Sequence, residues 1–162
     1  GSLRIYVQHQ ENTENTTSEN VPHVKLMEKN GGLERIGSYL SFIKQVEETK
    51  RKLYSFLAEK KQIGKSIAAY GAPAKGNTLL NYCNIGTDLI DYTVDLNSRK
   101  QGRYLPGTHI PIYHPDKIKD TKPDYLLILP WNIKDEIMEQ MKHINEWGGQ
   151  FIIPIPNVIV KQ

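Results

Sequence analysis

Residues Gly71-Ala72-Pro73-Ala74-Lys75-Gly76-Asn77 combine small residues, one cation and one amide between an apolar run and a helix start. This build suits an anion cradle. Two glycines allow a sharp turn and close backbone approach, and the free N–H groups of a helix start favour negative charge, so a phosphate-bearing ligand is expected. A tight turn with no ligand has the same composition. The spacing excludes a P-loop, which needs lysine after the second glycine, whereas Lys75 precedes Gly76. It also departs from the dinucleotide fingerprint, because Pro73 stands where the middle glycine admits the pyrophosphate. Nicotinamide binding is weakened by that proline without being excluded.

Other candidates follow two later apolar runs. Asp95, at the end of the second, has the position from which acids bind a nucleotide hydroxyl; capping its own loop is the alternative. Asn97 lies two residues on. Arg99, Lys100 and Arg103 form a possible basic lip for phosphate, although exposed loops commonly carry such charges. Trp131 and Asn132 mark a helix start, where the indole either stacks on a base or packs. No residue type and spacing assigns a catalytic base. The five histidines lack ligand spacing and the single cysteine, Cys83, sits among Leu79, Leu80 and Ile85, so a buried thiol and no metal site are expected.

The elements that position these residues are legible from periodicity. Ile36, Tyr39, Leu40, Ile43, Val46, Leu53, Tyr54 and Leu57 recur at helical spacing within a long amphipathic helix over 34–62, about 40 Å long. Strands are predicted at 66–70, 90–95, 110–113, 125–129 and 151–153. Helices are predicted at 74–84, after His114-Pro115-Asp116, and after Asn132, with Asn132 and Asp135 as a capping pair. Pro154 and Pro156 are expected to end regular pairing. The βαβ alternation implies an α/β, Rossmann-like parallel sheet flanked by helices. In such folds ligands lie beyond the carboxyl ends of the strands, which gathers 71–77, 95–97 and 130–132 on one rim.

Residues 3–7 alternate apolar and polar side chains as a strand does, and 10–20 are uniformly polar. The expected organisation is therefore the last strand of an upstream domain at 1–9, a linker at 10–31, and the Rossmann-like domain at 32–162. A net charge of +3 on 162 residues, with interspersed signs, falls short of a nucleic-acid-binding stripe. No run has the length of a membrane span and no leader opens the chain, so a cytoplasmic location is expected.

Several segments together resemble the C-terminal domain of S-adenosylmethionine-dependent C-methyltransferases that act on nucleotide-linked deoxysugars. They are 1–7, Tyr70 to Asn81, Asp95 to Lys100 with Gly102 and Pro106-Gly107, Ile110-Pro111-Ile112, and Leu129-Pro130-Trp131-Asn132. The resemblance covers nearly the whole chain. It implies an upstream domain that binds S-adenosylmethionine, a zinc-binding domain before that, and no cofactor in this part. It further implies that Gly71, Ala72, Lys75, Gly76 and Asn77 face the diphosphate or sugar of a dTDP-type substrate, while catalysis belongs to the absent middle domain. A nicotinamide- or nucleotide-binding domain of an oxidoreductase or sensor, and a non-catalytic interaction module, are the alternatives.

Overall fold

A computed structural model describes residues 3–162 of the chain. Contacts divide it into two units, Gly1–Val46 and Glu47–Gln162. The boundary falls inside the long helix, where the sequence reading placed one at residue 31.

The first unit holds α1 (Asn20–Asn30) and the start of α2 (Ile36–Gln62). Residues 3–9 form no strand and all are exposed, because a strand needs a neighbour for its N–H and C=O groups and none lies among the described residues. The predicted strand is thus absent over 3–9, and residues 1–2 lie outside the described part. Within the predicted linker, α1 is helical although it buries no residue. Its residues include Val21, Val24, Leu26 and Met27, so it lies almost wholly beyond the uniformly polar stretch at 10–20.

The second unit is built on a six-stranded sheet of order β3-β2-β1-β4-β5-β6. Its strands are β1 (Ile67–Tyr70), β2 (Tyr92–Val94), β3 (Ile112–Tyr113), β4 (Tyr125–Ile128), β5 (Gln150–Ile153) and β6 (Ile159–Lys161). The first five are mutually parallel and β6 runs antiparallel on β5. The sequence reading ended pairing at Pro154. Instead the prolines occupy the turn and leave Ile159–Lys161 free to pair as the edge strand.

Parallel strands require crossovers, and these put helices on both faces. Ile67 and Ala69 of β1 join Leu53 and Leu57 of α2 and Leu79, Leu80 and Cys83 of α3 (Ala74–Cys83) in one core cluster. Ala68 and Tyr70 point the other way, towards Ile118 of α4 (Lys117–Thr121) and Ile137 of α5 (Lys134–Gln140), with Met141 and Ile144 beyond it. Leu126, Leu127 and Ile128 of β4 are fully buried, as expected for a central strand covered on both sides. Cys83 is buried, and burial pushes its thiol up, away from the reactive thiolate. Among the described residues no helix is long and apolar enough to cross a membrane.

At the amino end of the sheet, Asp124 joins β1 to β4. Its Oδ1 accepts from Lys65 Nζ at 2.8 Å, and its Oδ2 accepts from the Ser66 N–H and hydroxyl at 2.9 and 2.8 Å. Partial burial alone would raise this carboxyl, but the hydrogen bonds from Lys65 and Ser66 outweigh it and lower the pKa to about 2. The stabilisation is therefore complete above about pH 4, the unfolded value, and is lost as pH falls through about 2. Asp124→Asn is expected to cost about 1 kcal/mol at pH 7, discounted for solvent screening. Urea titrations at several pH values should show that difference vanish between about pH 4 and 2.

Candidate functional site

The carboxyl ends of β1, β2 and β4 carry the three predicted segments, and the sheet brings them together. Gly71 leaves β1 at φ +90°, a conformation that side chains rarely adopt. Its N–H donates to the Val94 carbonyl at 2.6 Å, and its own carbonyl accepts from the buried Thr93 hydroxyl at 2.8 Å. These two bonds lock the turn onto β2.

Both glycines have a packing reason. A Cβ on Gly71 would lie 2.6 Å from Pro130 Cγ, and one on Gly76 would lie 2.8 Å from Leu129 Cβ. Each distance is too short for a real contact, so the turn after β1 and the turn after β4 meet only because side chains are missing there. The expected close approach is of protein backbone to protein side chain.

Asp95 organises the next layer. Its Oδ2 accepts from the Ala72 N–H at 2.8 Å and from Lys100 Nζ at 3.0 Å, and its Oδ1 accepts from the Asn97 N–H at 2.8 Å. Lys100 Nζ also donates to the Ala72 carbonyl at 3.0 Å, and Gln101 donates to the Asp95 carbonyl at 2.9 Å. Burial by itself would raise the Asp95 carboxyl. The bonds from Asn97, Lys100 and Ala72 prevail and hold it below the usual carboxylate range. This is the loop-capping arrangement, although Oδ1 keeps a lone pair able to accept from a ligand hydroxyl.

Lys100 is the residue whose role the sequence left unread. Grouped with Arg99 and Arg103 as a phosphate lip, it turns inward and clamps Asp95 to Ala72. Its place five residues after an acid was the one available signal. The guanidinium groups of Arg99 and Arg103 form no hydrogen bond or ion pair among the described residues, and both residues are exposed. Asn97 serves the loop, its Oδ1 accepting from the Arg99 N–H at 3.0 Å.

The open donors lie one step further along. Pro73 precedes α3 without a side chain that can cap it, and the Ala74, Lys75 and Gly76 N–H groups have no acceptor among the described residues. Asn77 Oδ1 is buried without a partner at the same turn. Lys75 Nζ hydrogen-bonds to Asn132 Oδ1 and stands 4.5 Å from the centre of the Trp131 ring. The capping pair expected of Asn132 and Asp135 does not form. Residues Trp131–Ile133 make a 3-10 turn, α5 begins at Lys134, and the Asn132 amide meets Lys75 instead.

Lys75, Asn77, Trp131 and Asn132 thus line a rim with three free N–H groups, the elements of an anion and ring-binding surface. Gly71 and Ala72 stand behind it with their N–H groups already used.

The profile of the family described as C-methyltransferase C-terminal domain matches residues 1–156. C-methyltransferase NovU of Streptomyces niveus is 37% identical over 129 residues, covering 80% of this chain and 31% of that protein. The chain therefore spans about a third of the length of that curated relative. A crystal structure of UDP-D-quinovosamine 4-dehydrogenase from Vibrio fischeri is similar over 57% of this chain and 79% of that one, at 24% identity and a TM-score of 0.41. On the match of 156 of its 162 residues, the chain belongs to the C-methyltransferase C-terminal domain family.

Proposed function

We propose that this chain is the substrate-holding part of an S-adenosylmethionine-dependent methyltransferase that acts on a nucleotide-linked deoxysugar of the dTDP type. The observation that carries the reading is the meeting of Lys75, three unpartnered N–H groups of α3, Trp131 and Asn132 on one rim. Phosphate oxygens would take the first-turn N–H groups and the Lys75 ammonium. The Asn132 amide and Asp95 Oδ1 would meet hydroxyl groups, and Arg99 and Arg103 would add charge at the outer edge.

The reaction implied by the family is removal of a proton beside a sugar keto group, with methylation of the resulting carbon; S-adenosylmethionine would supply the methyl group. In this reading the residues that bind that donor precede this chain in the protein, as does a zinc-binding segment. Among the described residues no group of three or more His, Cys, Asp and Glu could hold a metal. The chain supplies binding energy and orientation, which convert an encounter into a reaction within a complex. Alone it would not methylate.

Calorimetry with dTDP, NAD and S-adenosylmethionine tests the proposal. We expect dTDP to bind, S-adenosylmethionine not to bind, and Lys75→Ala to weaken dTDP about tenfold, the effect of one charge-assisted hydrogen bond. Tight NAD binding would instead favour an oxidoreductase or sensor domain, and silence with all three would favour an interaction module.

A further inference from the structure

Lys75 occupies the surface that a ligand ring would need. Its ammonium lies over the Trp131 indole and bonds to Asn132 Oδ1, while the indole packs inward on the core that includes Leu79 and Leu129. Both Lys75 and Asn132 are exposed, so no packing holds the lysine there. What holds it is a cation–ring contact and one hydrogen bond to a neutral amide, each weak at an exposed site.

We propose that Lys75 is a specificity latch: it masks Trp131 as a stacking subsite for a planar base, and a phosphate group on the same ligand draws it away. The inference rests on the substrate-holding reading and adds a selection rule to it. A base alone must displace the ammonium without offering that charge a better partner. A diphosphate alone draws the lysine off and leaves the ring bare. A nucleoside diphosphate does both at once, because the ammonium exchanges a neutral amide for an anionic oxygen, a stronger charge-assisted bond. The ring is then free for stacking and the Asn132 amide for a hydroxyl. Base and phosphate therefore bind with positive coupling through one side chain.

The signature is an inversion of sign. Removing the ammonium unmasks the ring, so Lys75→Ala and Lys75→Met should bind thymidine about threefold more tightly than the unsubstituted chain. The same substitutions should bind dTDP about tenfold more weakly. Pyrophosphate added to the unsubstituted chain should change tryptophan fluorescence as the ammonium leaves the indole, and Trp131→Phe should abolish that response. Both lysine variants alter an exposed helical position, and Ala and Met are strong helix formers, so folding is expected to survive. If dTDP binds with the expected Lys75 dependence but thymidine affinity is unchanged in both variants, the latch is overturned and the substrate-holding reading stands. If neither ligand binds the chain or its variants, both are overturned.

Discussion

Gly71→Ala should strongly destabilise the Glu47–Gln162 unit, costing about 3 kcal/mol and lowering the thermal midpoint by about 10 °C. Two independent costs add. At φ +90° any side chain is strained, and the new Cβ would be driven to 2.6 and 2.7 Å from two ring carbons of Pro130. The proline ring cannot swing aside as a long chain could. Relief must come from separating the turn after β1 from the turn after β4, the same two turns that set Lys75 against Trp131 and Asn132. Gly64→Ala is the control, since Gly64 has φ +77° but nothing within 4 Å of its Cβ position. It should lose only the backbone part, about 1 kcal/mol. Equal losses for the two variants, read by urea or thermal unfolding, would show that Pro130 yields and that the glycine is there for conformation alone.

Lys100→Met is the second large effect, with an expected loss of about 2 kcal/mol at pH 7. The Asp95 side chain is 13% exposed and the Lys100 side chain 39%, so the pair is neither fully buried nor freely solvated. Removing the lysine leaves a carboxylate partly desolvated and strips the Ala72 carbonyl of its donor. The pH dependence follows from the sign of the Asp95 shift. Its folded pKa is depressed, so its contribution is present above the unfolded value near about 4 and is lost as pH falls through the folded value. Without Lys100 burial meets less opposition, the Asp95 pKa rises, and the acid limb of the stability curve should move to higher pH. A variant with unchanged stability and an unchanged acid limb would mean that Asn97 and Ala72 suffice to hold the carboxylate.

Most of the second unit was readable because its signals are local and strong. The helical spacing of Leu53 and Leu57, the apolar run of β4 and the Gly71-to-Gly76 turn each identify an element without reference to any partner. Misreadings cluster where a partner decides. Residues 3–7 alternate as a strand does and were assigned to an upstream domain, but no strand forms there, because pairing requires a neighbour and none lies among the described residues. Ile159–Lys161 is short and follows prolines, and becomes a strand only because β5 presents an open edge. Asn132 sits where a cap belongs, but the chain takes a 3-10 turn there and the amide meets a lysine from another segment.

From residue order alone come the α/β alternation, the parallel sheet, the rim at its carboxyl end and the exclusion of a P-loop, because these depend on periodicity and on spacing within a few residues. Tertiary structure decided which groups on that rim remain available. Lys75 and Lys100 are both lysines near glycine-rich turns, and in the sequence only Asp95, five residues before Lys100, tells them apart. The sheet places Asp95 against Ala72, so Lys100 is consumed by an internal carboxylate. It places Trp131 and Asn132 under Lys75, which is held only by weak and replaceable contacts. Charge is a property of the residue, whereas availability depends on what packing brings within about 3 Å of it.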